Sequence, residues 1–497
     1  MGKFNPSKVG TTKVPDSVNM AGGIAFSRDY KQELASVLLT AMMNGDKYYQ
    51  TEKDKIKQIT DLIKKGVAQD DVEFVAKAML FARTDGKLRS VSHLVAVTLA
   101  EEVKGSPILR KAFLKTFMRP DDMTETMSLW LSKHPNVMLP NALRRSYKDA
   151  FETKFDMYQL KKYEASTAVV KLADVVKLSR PSPANFEDVE VFKKLIEGRL
   201  PNVVTAQTIN AGSTGEDRAG NYMSVLKERK LGYMALVKNL KNILEAGVTA
   251  DDVKIITDTL TNERMIAKSM LLPFRFYDAY TEVNKLNLNR LLVKKITTAL
   301  ETAFGISTMN TGIVAEGESV GVLHDCSGSM GSGAGTPFRQ GMVIAGAMLQ
   351  GLPKEDSLVY LWSNKATEVK FSGSAFDFID NTHAYGGGTD IASAFSELIR
   401  TKTKLDKLVI TTDMQSYALS GYSSRKPLAE WYAEYRKISP NVKILFWNLS
   451  GYAGGAPMKL DHNVLEVAGF SEKMFDVIPL MWADKDALVK RIESIEL

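Results

Sequence analysis

The sequence predicts an α + α/β protein. A flexible N-terminal arm, residues 1–20, leads into an all-helical region, residues 21–312, and then a mainly parallel α/β domain, residues 313–497. Three observations carry this reading. From residue 27 to about residue 300, apolar side chains recur at helical spacing. After Gly312, short apolar strands alternate with helical stretches, which is the pattern of a sheet covered by helices. Charge divides at the same place. The chain carries 65 basic against 58 acidic residues, with 47 and 36 of them in residues 1–312 and 18 and 22 in residues 313–497. The helical region is therefore basic and the α/β domain acidic, so the two have different electrostatic roles.

In the helical region, Val72, Val75 and Met79 share one helix face, as do Leu109, Ala112, Phe113 and Phe117. Breaks are expected at Asn44-Gly45, Asp85-Gly86, 105–107, 120–122, 135–140 and 181–183, each marked by Gly, Pro or Asp. Helices of ten to twenty residues joined by brief turns over this length predict stacked helices, although no strict internal repeat is present. Residues 201–226 are polar at their centre and are expected to form an exposed loop.

In the α/β domain, strands are expected at 319–323, 358–362, 408–411 and 442–447, and helices at 338–350, 391–401 and 428–437. Sheets of this kind bind ligands beyond the carboxyl ends of their strands. There stand Asp325, Ser327 and Ser329 in GVLHDCSGSMG, with Thr389 and Asp390 in GGGTD and Asp413 in VITTDMQ. Alternating positions in a tight turn bring the first three side chains to one point. Carboxylate and hydroxyl oxygens suit a hard divalent cation such as Mg2+. Asp390 could instead cap the helix at 391–401, leaving Thr389 as the ligand, or the reverse. His324 is expected to be a packed neighbour and His383 a surface residue. D-x-S-x-S, then Thr, then Asp, in that order, resembles the metal-ion-dependent adhesion site of von Willebrand factor A domains. That resemblance gives Asp325, Ser327, Ser329, Thr389 and Asp413 as the metal set.

Composition narrows the class. Apolar residues make up 44% and charged residues 25% of 497, enough to bury a large core. One cysteine, Cys326, excludes an internal disulfide and fits a reducing compartment. No run approaches the length and apolarity of a membrane span, and the N-terminus shows neither a signal-peptide core nor a myristoylation pattern. A soluble, cytoplasmic protein is expected. No dedicated base, second metal or histidine-acid pair adjoins the oxygen set, so catalysis is not expected.

The basic region has one dense stretch, 139–183. Arg144 and Lys148 lie a helical turn apart, Lys154 and Lys161 are spaced for one face, and Lys171, Lys177 and Arg180 fall on the next helix. Cations interleaved with Tyr147, Tyr158 and Tyr163 can neutralise phosphates and stack on unpaired bases. A solvated amphipathic pair with its tyrosines turned inward is the alternative reading.

The order AGGIAF, DKYYQ, LPNALRRSYKDAF, FDMYQLKKY, DVVKLSRPSP, KLGYMALVKNLKNIL, LLPFRFYDAY, DCSGSM resembles the Ro autoantigen family, in which a TROVE module precedes a von Willebrand A-like domain. The resemblance runs from about Val18 to the C-terminus. It implies a ring of HEAT-like helical repeats closed by a Rossmann-like A domain. It also implies binding of small structured non-coding RNAs, called Y RNAs, on the outer basic surface, and of single-stranded 3′ ends of misfolded RNAs through a central hole. On this chain the outer face would include Arg144, Arg145, Lys148, Lys161, Lys162, Lys171 and Arg180. Arg264, Lys268 and Arg275 form a stripe that could line the hole, with Pro273 interrupting it. An exoribonuclease such as polynucleotide phosphorylase is the implied protein partner, the chain being otherwise monomeric and bound to neither membrane nor DNA. Around Lys171 and Leu172 the chain lacks the histidine expected of animal members, and residues 201–226 lack the tryptophan expected ahead of KLGYMAL, with Tyr222 nearby instead. The expected function is therefore RNA quality control, processing or decay. The alternative is a metal-dependent protein-interaction or structural module that uses the A domain without RNA.

Overall fold

The computed structural model describes residues 17–18, 24–41, 51–86, 88–164, 168–201, 215–228, 231–269, 271, 273–309, 317–333, 335–350, 357–415, 426–452, 456–458, 460, 463–469, 478 and 486–497. A two-stranded antiparallel pair, β1 (Ser17–Val18) and β2 (Ile24–Ala25), opens the described chain. The residue-20 boundary lies between these strands in sequence, outside the described residues. Most of the arm, the Asn44-Gly45 break and the junction at residue 312 lie outside the described residues.

The helical region runs α1 (Tyr30–Leu39), α2 (Glu52–Ala68), α3 (Val72–Thr84), α4 (Arg89–Glu102), α5 (Pro107–Thr116), α6 (Pro120–Lys133), α7 (Asn141–Thr153), α8 (Met157–Lys162), α9 (Leu172–Ser179) and α10 (Val191–Ile196). It continues with α11 (Gly215–Lys227), α12 (Tyr233–Glu245), α13 (Ala250–Leu260), α14 (Glu263–Ser269), α15 (Pro273–Asn284) and α16 (Arg290–Met309). Starts follow local chemistry. Thr51 and Thr249 cap α2 and α13 in reciprocal capping boxes with Asp54 and Asp252, and Pro107 and Pro120 occupy first-turn positions where no amide is needed. The predicted faces are the buried ones: Val75, Met79, Leu109, Ala112, Phe113 and Phe117 are all sealed from solvent. Helices pack on near neighbours in sequence, α3 on α4, α5 on α7, α7 on α9 and α15 on α16. Residues 215–226 depart from the expected loop. They lie in α11, where Tyr222, Met223 and Leu226 are buried, while residues 202–214 lie outside the described set.

A cluster around the fully buried Asp122 ties α3, α4 and α6 together, with Arg83 and His93 buried and Arg89 half-buried. Asp122, in the first turn of α6, accepts hydrogen bonds from Arg83 (3.0 Å), Arg89 (2.6 Å) and the amides of Met118 and Arg119 (2.9 Å each), and faces His93 Nε2 at 3.2 Å. Burial alone would raise its pKa. His93, Arg83 and Arg89 instead hold it far below the usual carboxylate range.

The α/β domain holds one six-stranded sheet, ordered β5-β4-β3-β6-β7-β8. Its strands are β3 (Val320–Asp325), β4 (Ser357–Trp362), β5 (Ala366–Glu368), β6 (Lys407–Thr412), β7 (Lys443–Asn448) and β8 (Val464–Ala468); all pairs are parallel except β4–β5. Its helices are α17 (Pro337–Leu349), α18 (Ala375–Asn381), α19 (Ala392–Arg400), α20 (Leu428–Tyr435) and α21 (Ala487–Glu493). The four expected strands and three expected helices are present with ends shifted by one or two residues; β5, β8, α18 and α21 are additional. Alternation separates the faces: Val322, Val409 and Leu445 join the core shared with the helical region, while Leu323, Ile410 and Phe446 join a second core under α19 and α20.

The helical region meets this domain at both of its ends. At the start, α1 packs on β8 and α21, and Arg28 forms a two-pronged buried pair with Glu466 at 2.8 Å per contact. Lys55 donates to the Gly451 carbonyl at 2.5 Å. At the end, α15 and α16 pack on α17, Tyr277 and Tyr280 donate to Asp380 at 2.5 and 2.8 Å, and Ser374 donates to Glu301 at 2.7 Å. Among the described residues, no helix is long and apolar enough to cross a membrane.

Candidate metal centre and nucleic-acid interface

The sheet order places β3 and β6 side by side, with the chain leaving β3 toward β4 on one flank and returning as β6 on the other. That reversal opens a crevice at the carboxyl ends of the two strands. Asp325 ends β3 and Asp413 follows β6, both fully buried. Asp325 accepts from the Ser327 amide at 2.9 Å and the Thr412 hydroxyl at 2.7 Å. Asp413 accepts from the Gln415 amide at 3.1 Å. Ser327 and Ser329 present their hydroxyls to each other at 3.3 Å on a 3-10 turn, Gly328–Met330. The glycine loop closes over them: the Gly328 amide donates to Gly387 and the Gly388 amide to the Asn364 side chain. A Cβ on Gly388 would sit 2.5 Å from Asn364 Oδ1, so a side chain there would displace the Asn364 amide that accepts from the loop. Thr389 is buried at the end of that loop.

Burial raises the pKa of Asp325, and the nearby Asp413 carboxylate raises it further. Two sealed carboxylates that repel one another, ringed by hydroxyls, are a poor arrangement alone and a good one around a cation. The oxygen set thus fits a hard divalent ion, with Asp325, Ser327, Ser329, Thr389 and Asp413 as the residues that could hold it. Among the described residues, no group of three or more His, Cys, Asp or Glu is placed to hold a metal ion, so a softer, nitrogen- or sulfur-rich site has no counterpart there.

The neighbours expected to be structural are so. His324 is buried, with Nε2 2.9 Å from the Phe338 carbonyl and Nδ1 2.6 Å from the Thr411 hydroxyl. A carbonyl only accepts, so Nε2 carries the proton and Thr411 donates to Nδ1. Burial pushes the imidazole pKa down to about 3. A Cβ on Gly341 would come 2.2 Å from His324 Cε1, which explains the glycine inside α17. His383 is exposed. Asp390 accepts from the Ala392 amide at 3.0 Å, one residue ahead of Ile391, which caps α19 without a side-chain hydrogen bond.

The basic stretch is only partly as expected. Arg144, Arg145 and Lys148 are exposed on α7, Lys162 on α8, and Lys171 and Arg180 flank α9, also exposed. Lys161 is half-buried and paired with Glu164 at 2.8 Å. Lys154 and Lys161 do not share a helix face, because α7 ends at Thr153 and α8 begins at Met157. Lys154 instead donates to the Leu114 carbonyl at 2.9 Å, closing the end of α5. Tyr147 is fully buried and offers no face to a base. Tyr158 is exposed, and Arg119 covers the Tyr163 ring at 4.4 Å. Arg264 and Lys268 lie on α14 and Arg275 on α15, with Pro273 as the first residue of α15, so the three are not one helical stripe. All three are exposed.

An all-helical body joined at both ends to a parallel α/β domain, with an oxygen-lined crevice at its strand ends, is the class of protein these features define. The TROVE domain model matches residues 25–211 and 217–313, and the chain belongs to the Ro autoantigen (TROVE domain) family. It is similar to telomerase protein component 1 of Rattus norvegicus, 23% identical over 294 residues, covering 43% of this chain and 11% of that one. The Mus musculus protein of the same name is 24% identical over 301 residues, covering 44% and 11%. The chain thus spans about a tenth of the length of these relatives. Among solved structures, the Ro (Rsr) protein of Deinococcus radiodurans superposes with a TM-score of 0.58 at 17% identity, over 93% of this chain and 99% of that one. That likeness is one of fold. Proteins of the family are RNA-binding ribonucleoprotein components.

Proposed function

We propose that this protein binds small structured, Y-like RNAs on the exposed cations of α7–α9 and takes single-stranded 3′ ends of misfolded RNAs through an opening in its helical body, for RNA quality control, processing or decay. The observation that carries the reading is the surface position of Arg144, Arg145, Lys148, Lys162, Lys171 and Arg180 on consecutive helices of a TROVE-family chain. Attachment of the helical region to the α/β domain at both ends supports a HEAT-like ring closed by a von Willebrand A-type domain. An exoribonuclease such as polynucleotide phosphorylase would act on the ends so presented, in the cytoplasm. Four to six phosphate contacts give a binding constant that falls by about two to three orders of magnitude between 50 and 200 mM salt. Filter binding of a stem-loop RNA with a free 3′ tail measures this, and an affinity indifferent to salt would refute the reading.

The α/β crevice holds a divalent ion, Mg2+ by the hardness of its oxygens, in this proposal. The ion neutralises the buried pair and leaves room for an anionic group of a partner. Asp413→Asn is then expected to reverse sign with metal. In chelator the variant melts above the wild type, by roughly 1–3 kcal/mol, because like-charge repulsion is relieved. In millimolar Mg2+ the wild type is the more stable, because only it gains binding energy. Melting curves in both buffers decide it; identical wild-type curves with and without metal would count against the ion.

A further inference from the structure

The helical region contains a cavity of about 420 Å3 between α12 and α15, within the range of pockets that enclose small ligands. It is built by two facing helical stripes. Residues 234, 237, 238, 241 and 242 share one face of α12, and 275, 278, 279 and 282 share one face of α15. The floor is apolar: Val237 and Leu271 are buried, Ala279 lies beside them, and Met234 stands exposed at the rim. The walls are not. Lys238, Lys241 and Arg275 bring cations to the mouth, and Asp278, Asn242 and the lysine-paired Glu282 bring acceptors.

Two ion pairs brace the mouth. Lys241 reaches Glu282 at 3.0 Å across the two helices, which fixes the width of the cleft. Arg275 stands 3.6 Å from Asp278, too far for a hydrogen bond, so the carboxylate keeps acceptor capacity toward the cavity. An apolar floor, a polarizable thioether at the rim, the Asp278 carboxylate beside Arg275 on the α15 wall and two lysines on the α12 wall match the parts of one ligand class. A planar heterocycle fills the floor against Met234, a phosphate meets the cations, and the carboxylate reads the base edge. Guanine places two donors, N1–H and the exocyclic amine, where one carboxylate takes both. Adenine offers a single donor beside a bare N1.

We propose that this cavity is a nucleotide pocket selective for guanosine monophosphate, either free or as the terminal nucleotide of a single RNA strand. Only the strand form rests on the RNA-binding reading above. The second large cavity, about 750 Å3 beside Gly220 and Asp252, has a single lysine and no comparable apolar floor, and carries no such match.

Calorimetric titration of the full chain with 5′-GMP and 5′-AMP tests the proposal. GMP is expected to bind about tenfold tighter. Asp278→Ala is expected to bring GMP down to the AMP level and leave AMP unchanged, while Lys238→Ala weakens both. Both side chains are exposed, so folding is little affected, and the wild-type comparison needs no variant at all. Single-stranded oligonucleotides ending in 3′-G or 3′-A form the second arm. Preference among oligonucleotides alone identifies the strand terminus as the ligand, and preference among free nucleotides alone identifies the nucleotide; either supports the pocket. No base preference in either arm, or a preference that survives Asp278→Ala, overturns it. Salt-dependent binding of the stem-loop RNA, measured on the same samples, separates the two ideas. If it persists while base preference is absent, the pocket alone is rejected.

Discussion

Asp122→Ala lowers the stability of the protein by roughly 3–5 kcal/mol, the cost of leaving buried charges without their partner. Arg83 and Arg89 lose a carboxylate held at 3.0 and 2.6 Å, and two amides at the start of α6 lose their acceptor. Because α3, α4 and α6 meet there, the thermal midpoint is expected to fall by several degrees, or the chain to be recovered insoluble. The same cluster sets a pH window. His93 points one ring nitrogen at Asp122 and the other at Glu125, at 3.2 and 3.3 Å. Burial opposes its charge, yet these carboxylates more than offset burial and raise its pKa. That contribution is complete below the ordinary imidazole value of about 6.5 and fades as pH rises through the raised one. Asp122, with its pKa lowered, contributes above about 4 and is lost in acid. Melting midpoints of the wild type should therefore decline from weakly acidic to alkaline pH, and those of His93→Gln should not. Equal slopes for the two proteins would remove His93 from the account.

Reversing charge at Arg145, Lys148 and Lys162 together weakens structured-RNA binding by at least about 100-fold, since three attractive phosphate contacts become repulsive. All three side chains are exposed, so the melting midpoint stays within a degree or two. Lys154→Ala behaves in the opposite way. Its ammonium, with a pKa lowered by burial, closes the end of α5, so stability falls while RNA affinity holds. If the triple variant binds RNA as the wild type does, the RNA face lies elsewhere.

How much was legible depends on whether a signal was local. Strands β3, β4, β6 and β7 announce themselves as unbroken apolar runs, because parallel strands are covered on both faces. β8 does not, since Glu466 sits in its middle. That glutamate is tolerable only because Arg28, 438 positions away, reaches it, and no window of sequence shows such a pairing. β5 is a three-residue, largely exposed edge with nothing to mark it. α11 reads as loop in the sequence because GEDRAGN dilutes its apolar end, and only the burial of Tyr222 shows where that end goes. The buried oxygen set at the strand ends is readable because turn spacing and strand ends place it locally. The RNA set was less so. Helical spacing cannot say that α7 stops at Thr153, and with that stop Lys154 becomes a cap and Lys161 a partner of Glu164.

The seam between α1 and the α/β domain also bears on how the molecule is made. Leu34, Val37 and Leu38 are buried, and part of what covers them, β8 and α21, is encoded more than 400 codons later. At about 5–20 residues per second on the ribosome, that apolar face waits tens of seconds for its cover. A nascent chain with so long an unprotected interval is a natural client for chaperones that bind hydrophobic segments, and truncation before residue 463 would leave the interval permanent.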